Sequence, residues 1–429
     1  MQATLQAPGL IRRQASSGAR RPSGLLLLAL LPMAAIAVLV AVLIWVSFQR
    51  GTIGTATAVY TLRNYTQMLA DPFFYSVVLN TLVFAAVTVV VALAIGLPIA
   101  WLAERTTMHG KALVYGLMTI GLLVPGIYTA MGWTFIGHPR IGLLNQLLQS
   151  VFNLQDPPIN IATPIGMGFV QGLSLTSLGF ILSAQMFRAM NPSLEEAARV
   201  HGMKLWRVLW RVTLPLALPG ILAAVIYILT IALATFDIPA IIGLGNRVYM
   251  LSTQVYDLTH PPGEGTPNYG ASAALGALMV IVALGLTVCY GRVLGQGHRY
   301  QVITGKAYRP TPVQLGKWEI AAWAFVLLFT FCAAILPLAV LAFVAFTPYL
   351  MTPSMDALRH LTTANYLKLD WELVGRGLRN TITLMIVVPL LVLVLSFSIS
   401  WLVVRSRSRL RYALDFGAFL PHALPELIM

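Results

Sequence analysis

The sequence predicts an all-α, multi-pass membrane protein made of two tandem parallel repeats, the second of them incomplete. Three observations predict it: long apolar runs without charge, basic residues gathered on alternate loops, and residue pairs that recur at an offset of 300.

Of the 429 residues, 58% are hydrophobic and 10% charged, and the mean hydropathy is +0.79. A soluble chain carries about a quarter charged residues. Leu25–Phe48, Pro72–Leu102 and Ile320–Met355 contain no charged residue. A run of about 20 apolar residues crosses a bilayer as a helix. The sequence reads as nine spans, at 24–48, 74–103, 112–137, 163–189, 216–243, 271–291, 319–347, 377–404 and 412–429. The first is too long for the apolar core of a signal peptide, which is about 7–15 residues. The polar segment 1–23 reads as a disordered cytoplasmic tail. Cys289 and Cys332 both lie in apolar runs and read as small buried hydrophobes.

With the N-terminus on the cytoplasmic side, 20 of the 28 Lys and Arg residues fall in cytoplasmic segments and 8 outside. That asymmetry follows the positive-inside rule. The net charge of +14 therefore reflects topology and attraction to anionic lipid, which argues against a nucleic-acid partner.

The repeat is carried by polar and rigid residues. Asn80-Thr81 recurs as Asn380-Thr381, Trp101-Leu102 as Trp401-Leu402, Arg105 as Arg405 and Pro125 as Pro425. Upstream, Asn64-Tyr65 matches Asn365-Tyr366, and Leu31-Pro32 matches Leu336-Pro337. Six spans separate equivalent spans, so the halves share one orientation and are related by an axis along the membrane normal. The expected organisation is a tail at 1–23, a six-span repeat at 24–295, a cytoplasmic linker at 296–317 and a shortened three-span repeat at 318–429.

The loop after the fourth span, Asn191 to Leu214, carries the sharpest motif. Ser193-Leu194-Glu195-Glu196 has the spacing of a capping box, with the serine as cap. Gly202 suits a left-handed helix stop, so a short helix is expected over 194–201. Glu196-Ala197-Ala198, Gly202, Val212 and Leu214-Pro215, at these spacings, resemble the EAA loop of binding-protein-dependent ABC permeases. Val212 stands where the family usually has Ile. The resemblance implies the type I ABC importer permease fold in the bacterial inner membrane. It also implies a homodimer of ATP-binding subunits docked on Glu196, Ala197, Ala198, Gly202, Leu214 and Pro215, and a periplasmic binding protein that delivers the solute. Two fused halves, Asp71-Pro72-Phe73-Phe74 and Phe236-Asp237-Ile238-Pro239-Ala240 resemble the ferric-iron branch, with thiamine, polyamine and phosphonate permeases as neighbours. A second EAA loop would lie beyond Met429.

No stretch has the phosphate-binding spacing of an ATPase, since Gly110-Lys111, Gly305-Lys306 and Gly316-Lys317 are followed by Ala112, Ala307 and Trp318. No motif suggests a catalytic residue, a metal site or a cofactor. Asp237 is the one acidic residue well inside a predicted span, and Gln171 lies in the fourth; both are candidates for the translocation pathway. A transporter driven by an ion gradient is the alternative of another class. It would call for more ionisable groups at mid-membrane.

Overall fold

The computed structural model describes residues 23–51, 55, 58–261, 263, 265–297, 312–352, 354–405, 414 and 417–418. The expected tail therefore lies outside the described residues, as does nearly all of the expected ninth span. In chain order the helices are α1 (Ser23–Ser47), α2 (Arg63–Ala70), α3 (Pro72–Arg105), α4 (Lys111–Leu123), α5 (Gly126–Gly137), α6 (Leu143–Phe152), α7 (Pro164–Ala189), α8 (Ser193–Val200) and α9 (Leu205–Val208). There follow α10 (Leu214–Ala234), α11 (Leu251–Thr259), α12 (Tyr269–Gly297), α13 (Trp318–Thr330), α14 (Leu336–Ala345), α15 (Met355–Arg359), α16 (Ala364–Leu367) and α17 (Trp371–Arg405). A two-residue hairpin pairs Gln49 with Tyr60 and Arg50 with Val59. The described residues form two compact units, one over 38–376 and the other over 23–37 with 377–405, 414 and 417–418.

Seven helices among the described residues are long and apolar enough to cross a membrane, and α4 with α5 forms an apolar pair bent by 88°, the shape of a broken span or a re-entrant loop. Sequence reasoning expected one unbroken span at 112–137. Pro125 overturns this: it sits extended between the two helices and supplies no N–H to continue the first. The expected span 216–243 is corrected in the same way. Its helix ends at Ala234, and a π turn at Pro239–Gly243 follows a break. Two further π turns, Leu209–Thr213 and Phe331–Ile335, each run directly into a Leu-Pro pair, Leu214-Pro215 and Leu336-Pro337. A proline in a helix loses one backbone bond and collides with the carbonyl four residues back, and a widened turn relieves that collision.

The larger unit is organised around α3 and α7. Lipid gives apolar helices no reason to associate, so association depends on close packing through small residues. A side chain at Gly96 would meet the Phe180 amide nitrogen at 2.8 Å and the Thr176 carbonyl at 2.9 Å. Phe84, Ile99, Met118 and Phe180 fill the core around this contact. Val326 and Phe329 of α13 join the same core, and α14 packs on α5 where Gly132 meets Pro337. In the smaller unit Ala29, Leu402 and Leu414 cluster together. Most of α17 is exposed and apolar, as lipid-facing helices are. Lipid exposure also corrects the reading of the cysteines: Cys289 is exposed on α12 and Cys332 is half-buried.

Candidate functional site

Helix α7 ends where Asn191-Pro192 begins, because the residue before a proline avoids helical backbone. The cap of α8 is not the expected one. Pro192 holds the N-cap position, Ser193 is the first helical residue, and the Asn191 side-chain oxygen accepts from the Ser193 amide at 3.0 Å. Glu195 and Glu196 lie in the first turn and Arg199 in the last, each where the helix dipole favours its charge. The stop is a Schellman pair. The Gly202 amide donates to Arg199 at 2.9 Å and the Met203 amide to Ala198 at 3.1 Å. Gly202 has φ +81° and open space around it.

No residue of α8 is buried. Leu194, Ala197 and Val200 share one outward face, and Val200 is 86% exposed. Of the residues expected to form the docking surface, Ala197, Gly202 and Pro215 are exposed, while Glu196, Ala198 and Leu214 are partly buried. Leu214 and Pro215 open α10 after the π turn, and so serve the geometry of the helix start. Sequence reasoning missed Leu194 and Val200; the i, i+3, i+6 apolar spacing was the available signal. Trp206 and Trp210, both exposed, stack edge to face with centroids 5.4 Å apart.

Beneath α8 lies a polar hub that sequence reasoning did not anticipate. Glu104 and Arg105, the last two residues of α3, take opposite partners from the α7–α8 segment. Arg188 reaches Glu104 at 2.9 Å, and Tyr115 also donates to Glu104. Arg105 Nε lies 3.5 Å from Glu195 Oε1, with only 8% and 12% of the two side chains exposed. Arg105 also donates to the Met190 carbonyl at 3.2 Å and lies 5.9 Å from the Phe187 ring. Burial pushes the Glu195 carboxyl above the usual carboxylate range, while the Arg105 guanidinium and the Thr213 hydroxyl pull it back.

The stretch 312–317 is more than the spacer it was expected to be. The Val313 amide donates to the Arg105 carbonyl at 2.9 Å, and the Thr107 amide donates to the Val313 carbonyl at 2.9 Å. The Leu315 amide donates to the Thr107 hydroxyl at 3.3 Å, and His109 meets Glu319 at 3.0 Å.

The two pathway candidates separate. Asp237 is not inside a span but in the break after α10, with an oxygen 1.8 Å from where a Cβ on Gly126 would stand. It therefore touches the first residue of α5, at the 88° bend. Gln171 is 5% exposed on α7, and its side-chain oxygen has no hydrogen-bond partner among the described residues. Among the described residues no three His, Cys, Asp or Glu gather as a metal would require.

Residues 92–297 match the family described as the binding-protein-dependent transport system inner membrane component. The chain is similar to the trehalose transport system permease protein SugA of Mycobacterium tuberculosis, 29% identical over 219 residues, 50% of this chain and 70% of the relative. It is also similar to the sn-glycerol-3-phosphate permease protein UgpA of Brucella abortus, 27% identical over 250 residues, 57% of this chain and 84% of the relative. The molybdate/tungstate permease protein WtpB of Thermococcus kodakarensis is 27% identical over 238 residues, 53% of this chain and 82% of the relative. The crystal structure of a bacterial ABC transporter for the polysaccharide alginate matches with a TM-score of 0.40 at 19% identity, covering 58% of this chain and 85% of that one. The family match covers a little under half of the chain, and these relatives are named as permease proteins of transport systems. The expected ferric-iron branch finds no support in these relatives, whose names give trehalose, sn-glycerol 3-phosphate and molybdate or tungstate. The family match, 92–297, falls almost wholly on the first predicted repeat and does not reach the second, so the fusion of two permease halves finds no support there either.

Proposed function

We propose that α8 is the dock for a partner ATPase, and that the chain moves a solute inward by alternating access. The observation that carries this is the contrast between the two sides of α8. Leu194, Ala197 and Val200 face outward with Gly202 beside them, while Glu195 is tied down to Arg105 at 3.5 Å. A short helix that offers a low-relief face from a rigid base can pass a push into the bundle. ATP hydrolysis by a homodimer of ATP-binding subunits would bias the two states of that bundle. In this reading the hub and the N-terminus are cytoplasmic and the membrane is the bacterial inner membrane, in accord with the 20 to 8 division of basic residues. A periplasmic binding protein meets the opposite face, lipid surrounds the spans, and no nucleic acid takes part.

The two-repeat organisation belongs to this proposal. Its support is a side-chain clasp that occurs twice, at Asn64 and at Asn365. The pathway is assigned to the α4–α5 break, where Asp237 meets Gly126, since interrupted helices supply unpaired backbone groups for a solute. Gln171, buried on α7, is the second candidate.

Ferric iron loses the residues that suggested it. Asp71 caps α3, accepting from the Phe73 amide at 2.8 Å, and the 236–243 segment forms the break and π turn after α10. Uptake of labelled trehalose, sn-glycerol 3-phosphate, molybdate, ferric iron, thiamine, a polyamine and a phosphonate, in cells with and without the chain, identifies the solute.

Copurification tests the dock. The chain expressed with its ATP-binding subunit should retain it through membrane extraction, and Gly202→Arg and Val200→Glu should each release it. Retention by both variants would overturn the assignment.

A further inference from the structure

We propose that the Arg105–Glu195 pair is a positioning device that makes α8 and α3 one rigid body, so that any push on α8 is delivered to the span. The inference rests on the docking role proposed for α8. A helix of eight residues on a loop would otherwise tilt under load and waste the motion.

Three features make the pair a pin. It is desolvated, with 8% and 12% of the side chains exposed, so the attraction is little screened. Arg105 has three partners: Glu195 at an ion-pair distance of 3.5 Å, the Met190 carbonyl, to which it donates at 3.2 Å, and the Phe187 ring at 5.9 Å. Its own backbone is fixed as well, because its carbonyl accepts from Val313 at 2.9 Å. The guanidinium therefore joins the end of α3, the end of α7 and the start of α8. The neighbouring Glu104–Arg188 contact at 2.9 Å is more open, with 57% of the Arg188 side chain exposed. It cannot replace the buried pair as a pin, because water screens exposed ion pairs.

The test is a pair of spin labels at Lys204 and Val90, both exposed, one beyond the end of α8 and one midway along α3. Cys289 and Cys332 are first replaced by Ser. The complex with its ATP-binding subunit is placed in lipid nanodiscs and trapped with ATP and vanadate. In the parent chain the label distance should keep one narrow distribution with and without trapped nucleotide. Arg105→Gln and Glu195→Gln should each at least double its width while the ATPase stays bound. The exchanged pair Arg105→Glu with Glu195→Arg should restore most of the narrowness, which a mere packing defect would not do. An unchanged width in both single variants, or a parent distance that shifts on trapping, overturns the proposal. Loss of the ATPase from the parent chain would instead overturn the docking role. The broadening in Arg105→Gln would then still decide the pin, measured in the chain alone.

Discussion

Asn64 and Asn365, 301 positions apart, close the same loop in the same way. The Asn64 amide donates to the Ser47 carbonyl at 2.9 Å and the Gln49 carbonyl at 2.8 Å. The Asn365 amide donates to the Ala345 carbonyl at 3.1 Å and the Thr347 carbonyl at 2.8 Å. Beside each, a Phe–Tyr pair meets at nearly the same angle. Phe48 and Tyr65 are 5.5 Å apart at 47°, and Phe346 and Tyr366 are 5.3 Å apart at 44°. Each clasp ties the end of an apolar helix, α1 or α14, to a short helix further along the chain, α2 or α16. Asn64→Leu leaves two carbonyls without a donor, and each such loss costs about 1–3 kcal/mol where the group is buried. The expected result is a lower unfolding midpoint in detergent. Asn365→Leu should shift it in the same direction and by less, because Asn365 is the more exposed of the two. A wild-type midpoint for Asn64→Leu would mean the clasp holds nothing.

The α3–α7 seam predicts a contrast between two glycines. Gly96 has backbone within 3.0 Å of any added Cβ, and backbone cannot step aside cheaply. Gly116 on α4 has nothing within 4 Å. Gly96→Ala should therefore destabilise by about 1–3 kcal/mol through overpacking. Gly116→Ala should be neutral or stabilise by up to about 1 kcal/mol through helix propensity. Denaturation of the two variants side by side decides it, and equal effects would contradict the seam.

Much of this architecture is legible in the sequence because a membrane makes a simple demand. A stretch such as Pro72–Arg105 must satisfy its own backbone in lipid, so apolar length alone announces a helix. Helix α8 was also legible, within one residue at each end, because its acidic first turn and Gly202 are local signals. Interruptions were harder. Pro125 reads as one more apolar-run residue, and nothing local says that the chain turns by 88° there rather than kinking. The hub was invisible because Arg105 and Glu195 are 90 positions apart and no local spacing connects them. Ser193 was misread for a subtler reason: Asn191 offers a competing side-chain oxygen two residues earlier, and Pro192 takes the cap position.

The bend between α4 and α5 supports a double-mutant test. A Cβ on Gly126 would stand 1.8 Å from an Asp237 oxygen, so Gly126→Ala must displace that carboxylate. Asp237→Ala removes the obstacle. Gly126→Ala alone should destabilise, and in the Asp237→Ala background it should cost at least 1 kcal/mol less, within the ~0.5–3 kcal/mol of coupling usual for residues in contact. Additive effects would show that the two residues do not meet.

Glu195 gives a pH dependence whose sign is fixed by its surroundings. Its carboxyl is buried, and burial raises its affinity for a proton above the ordinary value of 4.5. Arg105 opposes the shift, with a smaller contribution from Arg199, and does not cancel it. The folded chain then holds this proton at a pH where the unfolded chain has lost it. Stability from this group is complete below the ordinary carboxylate range and falls as pH rises through the raised value. Unfolding midpoints of the wild type minus those of Glu195→Gln, taken from pH 4 upward, should decline across that window and then level. Removing the opposing charge with Arg105→Met leaves burial unanswered, so the window should move to higher pH. A difference curve that rises with pH would mean that the pair, and not burial, dominates, and that Glu195 sits on α8 as an ordinary salt-bridged carboxylate.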